Sequence, residues 1–229
     1  KHSRFIKAVR FSPTKPGLVA SASADKTIHL FHLDLLGQAP VRLLKFQTLL
    51  GHDKDVSGLV FDRKGTRLAS ASLDGTVRIW DVEHGTTIDV LQGPAKVTGR
   101  RAFVAFSNDG QRVAANFSDE RTFIWDLKSN PAIVRPLPQL ANTDIIAVDG
   151  QDRRVLTASA DSVQIWNAAN VTPASKPIRK LPLRSISAAE FSPSGNEILT
   201  ASAAGGQEWS ALVWPADRGR PIYPLRNIG

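Results

Sequence analysis

The sequence predicts an all-β protein made of five copies of one four-stranded antiparallel unit, and three observations carry the prediction. First, a single cadence closes each unit: Thr27-Ile-His-Leu-Phe31, Thr76-Val-Arg-Ile-Trp80-Asp81, Thr122-Phe-Ile-Trp125-Asp126, Ser162-Val-Gln-Ile-Trp166-Asn167 and Ser210-Ala-Leu-Val-Trp214. The closing aromatics are spaced by 49, 45, 41 and 48 residues. Second, a Gly/Pro/Asp turn recurs at the same point of each unit: Ser12-Pro13…Pro16-Gly17, Asp62-Arg-Lys-Gly65, Ser107-Asn-Asp-Gly110, Asp149-Gly-Gln-Asp152 and Ser192-Pro-Ser-Gly195. Third, Pro136, Pro138, Pro182 and Pro224 fall in segments read as the last strand of a unit, and no first strand contains proline. Proline cannot donate to a strand ladder, so its confinement to one strand marks that strand as the edge.

The second copy shows why each segment is a strand. Val56–Phe61 is a short apolar run suited to an innermost strand, and Asp62-Arg-Lys-Gly65 turns the chain. Arg67–Ser72 is built of small residues, as a narrowing sheet requires. Leu73-Asp74-Gly75 turns it again into Thr76–Asp81, and after His84-Gly85 the edge strand runs Thr86–Leu91.

With Gly51-His52 opening this copy and Trp80-Asp81 closing it, the pattern resembles the WD-repeat β-propeller family over nearly the whole chain. The resemblance implies one domain over residues 1–229, a β-propeller of four-stranded antiparallel blades. The five WD-type repeats are expected at about 1–49, 50–92, 93–140, 141–182 and 183–229. Rings of this family usually close on about seven blades. The chain is therefore expected to be part of a larger ring, with the missing blades supplied by the rest of a parent polypeptide. Its lack of an initial Met and the falling of both ends between repeats agree with that expectation.

The resemblance also implies a structural tetrad in which Asp bonds His, His bonds Ser and Ser bonds the indole N–H. His52, Ser70, Asp74 and Trp80 match it in full; His2, Ser21 and Asp25 match it in the first copy, where Phe31 replaces Trp. The third copy retains Asp119 and Trp125 with Ala115 in the Ser position. The fourth has Thr157, Asp161 and Trp166 without a His, and in the fifth the stretch Ala203–Ser210 replaces the turn. Ser, His and Asp together invite a hydrolase reading, but the resemblance places them inside the blade. The sequence also has no G-x-S-x-G elbow to raise a nucleophile.

Other chemistry is missing from the sequence. Cysteine is absent, which excludes disulfides and thiolate metal sites and fits a cytoplasmic location. No phosphate-cradling glycine loop occurs, and the five histidines (2, 29, 32, 52 and 84) form no metal-ligand spacing. Asp53-Lys-Asp55-Val-Ser57-Gly58 opens like a calcium loop but reaches Lys64 where a bidentate Glu is needed. The sequons Asn116-Phe-Ser118 and Asn170-Val-Thr172 stand without a secretory signal, and no apolar run reaches the roughly 20 residues that cross a bilayer. The expectation is a non-enzyme with no cofactor and no metal.

Function is then expected in surface recognition. Net charge is +8, and residues 1–48 hold eight Lys/Arg against two acids. The family's partner face is built from the loops joining the last strand of one blade to the first of the next, and from the turns between second and third strands. Carried over by position, that face holds Phe5, Asp55, Arg100 and Leu73, with Arg4, Lys54, Lys96, Arg101, Arg121 and Arg184 making it basic. Trp209, in the Gly-rich insertion, is expected on a loop as an aromatic anchor. The leading reading is a protein–protein interaction scaffold offering this basic face to an acidic protein or peptide. The alternatives are a sensor module of a larger signalling protein with a fused ATPase or kinase, and a nucleic-acid-binding propeller.

Overall fold

The computed structural model describes the chain except for residues 35–41, 100, 118–121, 130–132, 138–144, 150, 152, 159–161, 169–171, 175–177, 180–185, 193, 204–208, 218–222 and 226–229. For strand residues 42–44, 133–136, 145–146, 178–179, 187, 202–203, 209–210 and 223–225 it describes the backbone alone. The described secondary structure is entirely strand and turn. Blade one comprises β1 (Ile6–Phe11), β2 (Leu18–Ser23), β3 (Ile28–Asp34) and β4 (Arg42–Leu49). Blade two comprises β5 (Val56–Phe61), β6 (Arg67–Ser72), β7 (Thr76–Asp81) and β8 (Thr87–Gln92). Then follow β9 (Ala102–Phe106), β10 (Arg112–Phe117), β11 (Thr122–Asp126) and β12 (Ile133–Pro136). Blade four is β13 (Ile145–Val148), β14 (Arg154–Ala158), β15 (Ser162–Asn167) and β16 (Ile178–Arg179). Blade five is β17 (Ile186–Phe191), β18 (Glu197–Ala203), β19 (Trp209–Pro215) and β20 (Tyr223–Leu225). In all five sheets the strands lie in chain order, each hydrogen-bonded to the next, as an antiparallel meander of the propeller-blade type.

Pro136 and Pro224 lie in last strands, β12 and β20, where an edge tolerates a missing donor; Pro138 and Pro182 lie outside the described residues. One expectation is corrected. Trp209 is not on a loop: it opens β19 and pairs with Ala203, because the insertion lengthens both strands of that hairpin before it turns. Asn116 of the first sequon is fully buried.

By internal packing the chain forms two compact units, Lys1–Phe106 and Ser107–Gly229. In the first, Leu18, Ala20, Ala22, Ile28 and Leu30 of blade one bury themselves against Val56, Leu59, Phe61, Leu68 and Trp80 of blade two. Blade two's opposite side meets β9 closely. The Ala102 amide donates to Ser57 Oγ at 2.6 Å, and a Cβ at Gly58 would stand 2.7 Å from the Ala102 carbonyl oxygen, so only glycine fits there. The second unit repeats the arrangement. Ala114 and Ile124 pack with Val155 and Trp166 of blade four. Leu156, Ala158, Val163 and Ile165 of blade four pack with Ile186, Phe191, Ile198 and Trp214 of blade five. In each case the second and third strands of one blade present small and branched aliphatic side chains. The next blade answers with its closing Trp and with residues of its first or second strand.

Candidate functional site

The tetrad of blade two is assembled by two tight turns. Trp80 on β7 donates its indole N–H to Ser70 Oγ on β6 at 2.8 Å. His52 Nε2 lies 2.7 Å from the same hydroxyl and Nδ1 lies 2.8 Å from Asp74 Oδ2. Because a carboxylate only accepts, Nδ1 donates to Asp74, and Ser70 Oγ joins Nε2 to the indole N–H, so the four groups form one chain. Asp74 is further held by the Asp53 amide at 3.0 Å and by the Thr76 amide and hydroxyl at 2.8 and 2.7 Å. Burial by itself would raise the Asp74 carboxyl. The hydrogen bond and charge of His52, with the bonds from Thr76 and Asp53, outweigh it and hold the group well below the usual carboxylate range. His52 and Ser70 are buried, and the Ser hydroxyl links the His ring to the indole N–H inside the packed blade.

Blade one repeats the network without its last member. His2 bonds Asp25 at 2.9 Å and Ser21 at 2.8 Å, and Thr27 bonds Asp25 at 2.6 Å. Phe31 offers Ser21 no donor, and its ring packs against Phe46 at 5.4 Å between centroids. In the third blade Ala115 has no hydroxyl for Trp125, which stacks on Phe123 at 5.7 Å, and Asn116 bonds Thr122 at 3.1 Å. Trp166 donates to Thr157 at 2.8 Å. Asp119 and Asp161 lie outside the described residues.

The expected partner face is locked to the same turns. The Ala24 amide donates to the Phe5 carbonyl at 2.9 Å and the Leu73 amide to the Asp55 carbonyl at 3.0 Å. Ser23 Oγ donates to Arg4 O at 3.3 Å and Ser72 Oγ to Lys54 O at 3.1 Å. The two positions that define the face are thus brought together in both blades of the first unit. Lys7 Nζ lies 3.8 Å from Asp55 across the two blades. Arg4, Phe5, Lys54, Lys96 and Arg101 are exposed, whereas Asp55 and Leu73 are half-buried. Arg100, Arg121 and Arg184 lie outside the described residues, as does the side chain of Trp209. Among the described residues no group of three or more His, Asp or Glu could hold a metal ion.

The family model described as "WD domain, G-beta repeat" matches residues 1–32 and 44–81, which carry the two histidine-containing networks. These two segments are WD repeats. The chain is 29% identical over 171 residues to Pre-mRNA-processing factor 17 of Homo sapiens, covering 72% of this chain and 28% of that protein. To Nuclear distribution protein PAC1 of Arthroderma otae it is 34% identical over 141 residues, 57% of this chain and 28% of the relative. To a Guanine nucleotide-binding protein subunit beta of Nicotiana tabacum it is 28% identical over 131 residues, covering 55% and 32%. The chain spans about a third or less of the length of these relatives.

Two features of the repeats escape the sequence reading. Trp214 donates to Thr200 Oγ1 at 2.9 Å, so the fifth repeat keeps the Trp–hydroxyl bond that the insertion disguises. Its signal was the run Ile198-Leu-Thr-Ala-Ser, parallel to Leu68-Ala-Ser-Ala-Ser, which sets Thr200 at the position of Ser70. The second feature lies at the opposite end of the blades. Asp62 bonds Arg67 Nε at 3.1 Å, and the guanidinium lies 5.3 Å over the Phe106 ring. Asp149 likewise bonds Arg154 Nε at 2.8 Å, with Arg154 5.4 Å over Phe191. Each arginine opens a second strand and reaches the last residue of the next first strand. It clamps neighbours by a cation–π contact worth roughly 0.5–2 kcal/mol.

Proposed function

We propose that the chain is a non-enzymatic scaffold for protein–protein interaction, whose partner face is formed by Arg4, Phe5, Lys54, Asp55, Leu73, Lys96 and Arg101. The observation that carries this reading is Phe5, 83% exposed beside Arg4 while its carbonyl is pinned to the turn carrying Asp25. A rigid backbone that holds an aromatic ring in water among cations loses little entropy when a partner covers it. The chemistry that fits is an acidic peptide or domain edge with an apolar anchor. Arg100, Arg121, Arg184 and Trp209 extend the proposed face on sequence grounds. The reading includes further blades supplied by a longer polypeptide and, from the absence of cysteine, a cytoplasmic setting.

The test uses an array of short peptides alternating Glu with Phe or Trp, alongside single- and double-stranded DNA of random sequence. Binding of an acidic aromatic peptide should weaken about tenfold or more in Lys54→Glu and in Phe5→Ser, matching the loss of a hot-spot contact. If the peptides do not bind and DNA binds with a salt slope of several phosphate contacts, the nucleic-acid reading replaces this one.

A further inference from the structure

The first strands of blades one and two are interrupted at the same place. The register of β1 on β2 shifts between Ile6 and Ala8, and that of β5 on β6 shifts between Val56 and Gly58. Lys7 and Ser57 are therefore the extra residues of two equivalent β-bulges, and a bulge re-aims the side chain it carries. Both reach the start of the next blade's first strand. Ser57 Oγ accepts from the Ala102 amide at 2.6 Å and donates to the Ala102 carbonyl at 3.2 Å, so one hydroxyl bonds both backbone groups of the residue that opens β9. Lys7 is longer and ends in a charge. Its Nζ lies 3.8 Å from Oδ2 of Asp55, the residue before β5. The two arms make the same connection, one to backbone and the other to a carboxylate.

That carboxylate stands out on the proposed partner face. Arg4, Lys54, Lys96 and Arg101 attract an acidic peptide, and Asp55 alone among the residues of that face repels it. The Asp55 backbone is fixed there, because its carbonyl accepts from the Leu73 amide at 3.0 Å. The side chain is 30% exposed, so its charge reaches whatever lies on the face.

We propose that Lys7 is a positioning residue of this face: from its bulge it holds the Asp55 carboxylate and cancels its charge, so that an acidic peptide meets cations only. The proposal rests on the scaffold reading above and adds to it the residue that tunes the face for carboxylates. Folding gains little from the pair, since a half-exposed ion pair is weak. Its effect is felt where like charges would otherwise be pressed together, under a bound partner. Ser57 supplies the contrast, an uncharged arm on the same bulge with a backbone target.

The experiment measures binding of a peptide alternating Glu with Phe, and of its Gln/Phe counterpart, to the full chain. Lys7→Met should weaken the Glu/Phe peptide about threefold or more at low salt, the scale of one partly exposed ion pair. Most of that loss should vanish at about 0.5 M salt, where screening shortens the reach of Asp55. Adding Asp55→Asn should return the affinity to within about twofold of the native chain, and Lys7→Arg should keep it. The Gln/Phe peptide should lose less than about twofold in Lys7→Met, whereas a variant that merely loosens the fold lowers both peptides together. No loss in Lys7→Met, or an equal loss for the two peptides, overturns the proposal. So does a loss that Asp55→Asn does not restore, because Lys7 then touches the peptide itself. A native chain that binds no Glu/Phe peptide overturns the scaffold reading and this proposal with it. Failure of the proposal alone leaves native binding, and its loss in Lys54→Glu, intact.

Discussion

Blades one and two are nearly the same sentence, with different surroundings. Both have the His–Ser and His–Asp bonds at 2.7–2.9 Å, and both have a Thr bracing the aspartate. The network therefore forms from residues within one blade and needs no neighbour. Burial of the first strand behaves in the opposite way. Phe61 is sealed by a preceding blade, and Phe11, at the same register, is in water. Local hydrogen bonding specifies the shape of a blade, while the neighbouring blade determines how much its apolar face stabilises it, as expected for an array whose units cannot bury their faces alone.

The largest test of that difference replaces the same phenylalanine in each blade. Phe61→Ala leaves a cavity in a packed interface and should cost about 3–5 kcal/mol of unfolding free energy, whereas Phe11→Ala should stay within about 0.5 kcal/mol. Urea titration of the full chain followed by tryptophan fluorescence measures both. Equal losses would mean that Phe11 is buried in solution and that the contrast between the blades is void.

A second contrast concerns charge. The position before the residue preceding the closing aromatic holds Arg78 in blade two and His29 in blade one, paired with Ser70 and Ser21 respectively. Arg78 lies 6.0 Å over the Trp80 ring, its charge fixed. His29 is buried and stacked on His2 at 3.7 Å, with Phe46 at its edge at 4.7 Å and no partner for its Nδ1. Burial, then His2 and the terminal amine, push it down from 6.5 to about 4, against the pull of Asp25. Between those values the unfolded chain binds a proton that the folded chain refuses. Stability from this site is complete above pH 6.5 and drains as pH falls towards 4, by at most about 3 kcal/mol. Melting midpoints between pH 7 and 4.5 should fall in the native chain and fall less in His29→Phe. Asp25 and Asp74, held low, lose their contributions only in more acid solution and leave that window clear. Parallel slopes in the two proteins would remove His29 from the account.

What could be read from the sequence divides along the same line. Strands, turns and the spacing of His52, Ser70, Asp74 and Trp80 were legible because alternation, turn chemistry and the network all act over one repeat. The Trp214–Thr200 bond was hidden because residues between β18 and β19 break the offset on which the spacing argument relies. The Asp–Arg–Phe clamps were half visible. Asp62 and Arg67, like Asp149 and Arg154, stand five residues apart, but the phenylalanine each arginine covers belongs to the next repeat. The exposure of Val9 and Phe11 was not legible at all, because they read like Leu59 and Phe61, and only the packing separates them.

The finest distinction between the two blades is one residue in the turn that carries the tetrad aspartate. Gly75 follows Asp74 at φ +87°, and Lys26 follows Asp25 at φ +73°, with the amides bonding Ser72 and Ser23 at 3.2 and 3.3 Å. The backbone is the same, but a lysine Cβ in the left-handed region costs roughly 1–2 kcal/mol, of which glycine's freedom in the unfolded chain returns roughly 0.5–1. Lys26→Gly should therefore stabilise the chain by up to about 1 kcal/mol, seen as a higher urea midpoint with an unchanged slope. The reverse exchange should cost more than the first gains, because a Cβ at Gly75 would also strike the Pro94 carbonyl oxygen. If Lys26→Gly lowers the midpoint instead, the lysine contributes something that its backbone angle conceals, and the turn of blade one is not the strained twin of the turn in blade two.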